Sequence, residues 1–136
     1  MRSFFDSNVL AYTDDAGDSV RQAQALALYE ECHRRGEAVI SLQVLQEYFV
    51  TVTRKLGVDP ALARRKVEVF AKMDVVVPQV DDILSAIDLV RLHSVSFWDA
   101  LIVRAAQVAQ CSRLYSEDMN HGWRIDGLEI ANPFVS

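Results

Sequence analysis

Four acidic residues carry the strongest chemical signal in this chain: Asp6, Glu47, Asp99 and Asp118. They are far apart in sequence, so only the fold can bring them together. Two carboxylates about 5 Å apart at an effective dielectric near 20 repel by roughly 3 kcal/mol, and a divalent cation removes that cost. Hard oxygen donors without His or Cys favour Mg²⁺ or Mn²⁺ over Zn²⁺. An ion held in this way can activate a water and neutralise a phosphodiester oxygen in the transition state. Each acid alone also has an ordinary role. Asp6 can be a turn residue, Glu47 a solvated helical acid and Asp118 a loop acid. Ser96-Phe97-Trp98-Asp99 fits a helix-capping box with Asp99 as its acid. The case for chemistry rests on joint placement.

The elements that must place them follow from periodicity. Residues 2–6 read as a short buried strand ending at Asp6. Residues 19–35 read as a helix closed by Gly36. Ala38-Val39-Ile40 is a second strand. Residues 42–56 form a helix with an inward stripe of Leu42, Leu45, Phe49, Val52 and Leu56. Glu47 lies about 200° around that helix from Leu45, off the stripe, free to face solvent or a cleft. Asp59-Pro60 opens a helix running to Met73, with Leu62, Val69, Phe70 and Met73 inward. Val75-Val76-Val77 is a third strand. Asp81 or Asp82 caps the next helix, and Ser96 opens another that runs to Gln110 with Trp98, Leu101 and Ala105 inward. Leu114-Tyr115-Ser116 is a strand, residues 117–122 are a loop, and residues 128–130 are a last strand.

Short apolar strands alternating with longer helices imply crossovers and a mainly parallel sheet covered on both faces. The expected fold is a three-layer α/β/α sandwich with a short central sheet, one domain over residues 1–136. Ligands of such folds bind beyond the carboxyl ends of the strands. If the strands ending at Asp6 and at Ser116 are neighbours, Asp6 and Asp118 share one crevice.

Composition narrows the class. Half the 136 residues are apolar (51%), enough for a core without staples. Cys32 and Cys111 sit in no metal or disulfide spacing. No apolar run is long enough for a membrane span or a signal peptide, so the expectation is a soluble cytoplasmic protein with no membrane partner. The net charge of −5 argues against nucleic-acid binding unless the acids are concentrated in one place. Six of the 14 positive charges, Arg54, Lys55, Arg64, Arg65, Lys66 and Lys72, fall close together. Arg64-Arg65-Lys66 is the best candidate for backbone phosphate contacts. Trp123 reads as packing under the loop that follows Asp118.

At these residues the chain resembles the PIN domain family and, within it, the VapC-type toxins of toxin–antitoxin pairs. The resemblance rests on four blocks in order: Phe4-Phe5-Asp6-Ser7-Asn8-Val9-Leu10, Ser41 to Glu47, Ser96 to Ile102, and Leu114-Tyr115-Ser116-Glu117-Asp118. It implies a metal-dependent ribonuclease acting on single-stranded RNA, a homodimer, and inhibition by a cognate antitoxin. Carried over, Asp6, Asp99 and Asp118 would bind Mg²⁺ or Mn²⁺, and Glu47 would complete the cluster or position the water. Asn8 and Ser116 would orient carboxylates. Glu117 stands beside Asp118, and either could be the more direct ligand. Two other classes compete with this reading. A phosphatase using a strand-end aspartate lacks the second acid of a D-x-D pair. A PIN-like RNA-binding or interaction module without catalysis has no need for four acids.

Overall fold

The computed structural model describes residues 1–135; Ser136, the last residue of the expected domain, lies outside the described residues. The strands are β1 (Ser3–Phe5), β2 (Ala38–Ser41), β3 (Asp74–Val76), β4 (Arg113–Tyr115), β5 (Arg124–Ile125) and β6 (Leu128–Ala131). The helices are α1 (Ser7–Tyr12), α2 (Ser19–Arg34), α3 (Leu42–Arg54), α4 (Pro60–Phe70), α5 (Val80–Leu92) and α6 (Phe97–Val108). They build one six-stranded sheet in the order β3-β2-β1-β4-β6-β5. All pairings are parallel except β5 with β6.

Parallel strands covered on both faces must be apolar throughout. Phe4, Phe5, Val39, Ile40, Leu114 and Ile130 are accordingly fully buried. The chain moves from β1 through β2 to β3 in one direction, then returns to the other side of β1 for β4. Right-handed crossovers therefore set α1–α4 on one face and α5 with α6 on the other, in agreement with the packing of α1 on α2 and α3, α3 on α4, and α5 on α6. The direction reverses between β1 and β4, paired as Phe5 with Tyr115. That junction is the switch point where such sheets open a crevice.

Several sequence expectations are corrected. The residues after Asp6 form α1, a six-residue helix too short to show a period. α3 buries Val44, Tyr48 and Val52, whereas Leu42 and Phe49 of the expected stripe are exposed. Docking against β2 and α1 selects that face, not the count of apolar residues. α4 ends at Phe70; it buries Ala63 and Phe70, with Met73 buried beyond it, and leaves Leu62 and Val69 exposed. Its expected start holds, with the Asp59 carboxylate accepting from the Ala61 amide at 3.1 Å. Gln79, not Asp81 or Asp82, caps α5, and Asp82 closes the box from the third helical position by accepting from the Gln79 amide. α6 ends at Val108, and Trp98 is turned outward, 63% exposed. β5 is an addition to the expected elements. It forms an antiparallel hairpin with β6 across Asp126-Gly127, both at positive φ (47° and 83°), a two-residue turn for which Asp-Gly is suited.

Candidate active site

Each carboxylate reaches the β1–β4 crevice from a different element. Asp6 is the first residue after β1 and the N-cap of α1, with its Oδ1 accepting from the Ser7 amide at 2.7 Å. Its own amide donates to the Tyr115 carbonyl at 2.9 Å, which extends the β1–β4 ladder and fixes Asp6 beside Ser116. Ser116 is fully buried, and its hydroxyl donates to Asp6 Oδ2 at 2.8 Å. The same hydroxyl oxygen accepts from the Asp118 amide at 3.2 Å, so one serine sets the position of both acids.

Asn8 spans the crevice. Its Nδ2 donates to Asp118 Oδ2 at 3.0 Å and approaches Asp6 Oδ2 and Ser116 Oγ at 3.4 Å. Its Oδ1 accepts from the Glu117 amide at 3.1 Å. Glu117 itself is turned aside: Tyr12 Oη donates to it at 2.9 Å, and Arg21 Nε lies 3.4 Å away. Glu47 comes from α3 on the side bordering Tyr48 and faces the crevice. It accepts from Ser7 Oγ and from Gln43 Nε2, each at 3.2 Å. Gln43 also donates to the Trp98 carbonyl at 3.2 Å, which ties α3 to the first turn of α6. Asp99 sits in that turn, half-buried, and its amide donates to Ser96 Oγ at 3.1 Å.

Burial pushes the Asp6 carboxyl up to about 6; hydrogen bonds from Ser116 and Ser7 oppose this, and the charges of Glu47 and Asp99 add to it. Asp99 is also raised, by burial first and then by the charge of Asp118. Mutual repulsion therefore links all four acids. The hydrogen-bond donors around Asp6, namely the Ser7 amide, Asn8 and Ser116, are neutral.

Basic residues stand elsewhere on α4. Arg64 is paired with Glu68. Lys66 is paired with Asp14 at 3.1 Å, and Asp14 also accepts from Tyr48. Arg65 is exposed. The groove that opens beside Asp118 is instead lined by Tyr12, Thr51, Lys55 and Leu56. Trp123 packs against the core and meets His93 edge-on at 5.7 Å between ring centroids. Both cysteines are buried and free, and burial raises each thiol, which leaves them unreactive. Sequence reasoning missed the parts of Ser7, Tyr12 and Gln43. Gln43 stands one helical turn before Glu47, a spacing at which Gln and acidic side chains meet.

The PIN domain family model matches residues 3–121. The chain belongs to the PIN domain family. Its fold is shared with VapC20 of Mycobacterium tuberculosis, a sarcin–ricin loop cleaving toxin, at 21% identity and a TM-score of 0.71, over 85% of this chain and 91% of that one. A toxin–antitoxin complex from Klebsiella pneumoniae is similar at 17% identity and a TM-score of 0.74, over 97% and 98%. VapBC2 from Rickettsia felis, bound to a DNA fragment from their promoter, is similar at 16% identity and a TM-score of 0.68, over 97% and 98%. No curated protein matches the chain significantly.

Proposed function

We propose that this chain is a Mg²⁺- or Mn²⁺-dependent endoribonuclease acting on single-stranded RNA, and the toxin of a toxin–antitoxin pair. The observation that carries the activity is Asp6. It is 5% exposed and repelled by Glu47 and Asp99, with only neutral donors around it. Capping α1 gives Asp6 a part in the fold, but it does not account for the neighbouring carboxylates, whose repulsion a cation removes. Among the described residues, no three His, Cys, Asp or Glu side chains enclose a single point. The donor set is all oxygen, as Mg²⁺ and Mn²⁺ prefer.

Asp6, Asp99 and Asp118 would hold the ion, one or two of them directly and the rest through its waters. When bound, it supplies a water of lowered pKa and a Lewis acid for the phosphodiester oxygen. Glu47, held between Ser7 and Gln43, orients the attacking water and accepts its proton. Ser116 and Asn8 keep the Asp6 and Asp118 oxygens turned into the crevice, a support that changes metal affinity tenfold to a hundredfold in comparable sites. Glu117, engaged by Tyr12 and Arg21, braces the loop and leaves Asp118 as the ligand.

The toxin reading is supported by the neighbours, which are described as a toxin and as toxin–antitoxin assemblies. A homodimer and an antitoxin both need apolar surface. Val80, Ile83, Leu84 and Ile87 on α5 are exposed, and Leu45, Phe49, Val50 and Val67 line an apolar depression between α3 and α4. No helix is long and apolar enough to cross a membrane among the described residues.

The purified chain should cleave a mixed single-stranded RNA pool in Mg²⁺ or Mn²⁺, stop in EDTA and resume when either ion is restored. Undiminished cleavage in EDTA would overturn the mechanism. Expression of the chain alone should arrest growth, and Asp6→Asn should relieve the arrest.

A further inference from the structure

α3 carries a polar ridge at four-residue spacing: Gln43, Glu47, Thr51 and, at its C-terminal end, Lys55. Each step advances about 6 Å along the helix and drifts about 40° around it. The four side chains therefore follow one slowly turning line. Gln43 meets the α6 end of the crevice at the Trp98 carbonyl. Glu47 stands among the carboxylates. Thr51 and Lys55 continue into a groove of about 270 Å³ that Asp118 borders on the crevice side; Asp15 and Glu117 also line it, Glu117 with Arg21 beside it at 3.4 Å. Tyr12 and Leu56 give this groove an apolar wall.

On the nuclease reading above, we propose that this groove holds the nucleotide next to the scissile phosphate. Lys55 binds the neighbouring phosphate, and the base rests against the Tyr12–Leu56 wall. A strand of regularly spaced anions lying along α3 meets Glu47 beside the carboxylates that would hold the metal and an exposed ammonium two turns later. The Arg64-Arg65-Lys66 run serves this purpose less well. Arg64 and Lys66 are held in ion pairs, and Arg64 opens onto the apolar depression of α3 and α4. An arginine-bearing peptide from a protein partner is the alternative occupant: Asp15 and Asp118 attract it, whereas Lys55 opposes it.

The test is made on the full chain carrying Glu47→Gln, which stops hydrolysis under the nuclease reading while sparing the three metal ligands. Binding of a fluorescent single-stranded oligoribonucleotide is followed by anisotropy in Mg²⁺ over a salt series. Adding Lys55→Gln should weaken binding about tenfold and reduce the salt slope by about 0.7, the loss of one single-strand phosphate contact. Lys55→Arg should restore both, and Arg91→Gln on α5 should change neither. Unchanged affinity and slope in Lys55→Gln overturn the proposal, as does a loss seen with Arg65→Gln in its place. A short oligoarginine peptide should compete better against Lys55→Gln than against the parent. Tight capture of that peptide by the parent, with RNA affinity indifferent to Lys55, assigns the groove to a protein and overturns the proposal. A wild-type chain that cleaves RNA while Lys55→Gln behaves like it removes only the groove. A wild-type chain that neither binds nor cleaves RNA in Mg²⁺ removes the nuclease reading with it.

Discussion

Asp6 at the β1–β4 junction and Asp82 in the first turn of α5 are both buried, 5% and 9% exposed. Around Asp82 the fold supplies compensation. The Gln79 amide donates to one oxygen at 2.8 Å and Arg104 Nε to the other at 3.0 Å. Those partners, the amide first, hold its carboxyl below the usual range. Around Asp6 no cation appears among its partners in the described residues, and burial, with the charges of Glu47 and Asp99 added, raises its carboxyl to about 6. The same fold thus closes one buried acid into an ion pair and leaves the other open. Asp82 meets a cation within the chain, whereas Asp6 meets only neutral donors among the described residues, the difference on which the proposed metal site rests.

The two acids can be separated by substitution. Asp6→Asn should lower RNA cleavage a hundredfold or more, at least about 3 kcal/mol of barrier, in a gel-based assay under Mg²⁺. Asp82→Asn should leave the cleavage rate of the folded protein within about twofold. Stability at pH 7 should move the other way. Ionised Asp6 costs the folded state about 3 kcal/mol, given a shift from 3.8 to about 6. Asp6→Asn should recover most of that in urea unfolding without metal. Asp82→Asn should lose about 2 kcal/mol, because a charge-assisted hydrogen bond to Arg104 goes with it.

Their pH signatures should also be opposite. A raised carboxyl contributes stability below its unfolded value that is lost as pH rises through its folded value. Asp6 should therefore make the metal-free protein progressively less stable as pH rises from about 4 through about 6, and Asp6→Asn should flatten that window. A lowered carboxyl contributes stability above its unfolded value that is lost as pH falls through its folded value. Asp82 should weaken the protein only on the acid side. Unfolding midpoints measured along a pH series, for the wild type and both variants, check this.

Smaller effects sharpen the picture at Ser116 and Asp99. Ser116→Ala should reduce Mg²⁺ affinity tenfold to a hundredfold by calorimetric titration. Ser96→Ala should cost about 1 kcal/mol, the usual worth of an N-cap. Asp99→Asn should not lower metal-free stability, because burial first, and then the charge of Asp118, disfavour its ionised form. If Asp99→Asn costs as much as Ser96→Ala and leaves the Mg²⁺ response intact, Asp99 is part of the helix cap alone.

Much of the fold is legible in local pattern. The apolar runs before Asp6 and Ser116, Gly36 after α2 at φ 68° and Asp59-Pro60 before α4 are signals within a few residues of one another. The buried face of α3 is not legible in this way. Leu42 and Phe49 are as apolar as Val44 and Tyr48, and only the approach of β2 and α1 decides between them, while Leu45, Val52 and Leu56 of the expected stripe do meet the core. Trp98 escapes local reading for a related reason: α6 is apolar on most sides, and its contacts with α5 and the sheet choose Ala100, Ile102, Val103, Ala105 and Ala106. At the site, the four acids stand out by type and position. Ser7 and Gln43 do not, since their importance lies in hydrogen bonds to Glu47 that the fold assembles from α1 and α3.

The most direct test of the open carboxylate site is urea unfolding at pH 7, with and without Mg²⁺, of the wild type and Asp6→Asn. At a hundredfold excess over its dissociation constant, Mg²⁺ should stabilise the wild type by about 2.7 kcal/mol. Asp6→Asn should start more stable and gain almost nothing from the ion. If Asp6→Asn is destabilised as Asp82→Asn is, or keeps the full Mg²⁺ increment, Asp6 is a structural acid and the account of this site is wrong.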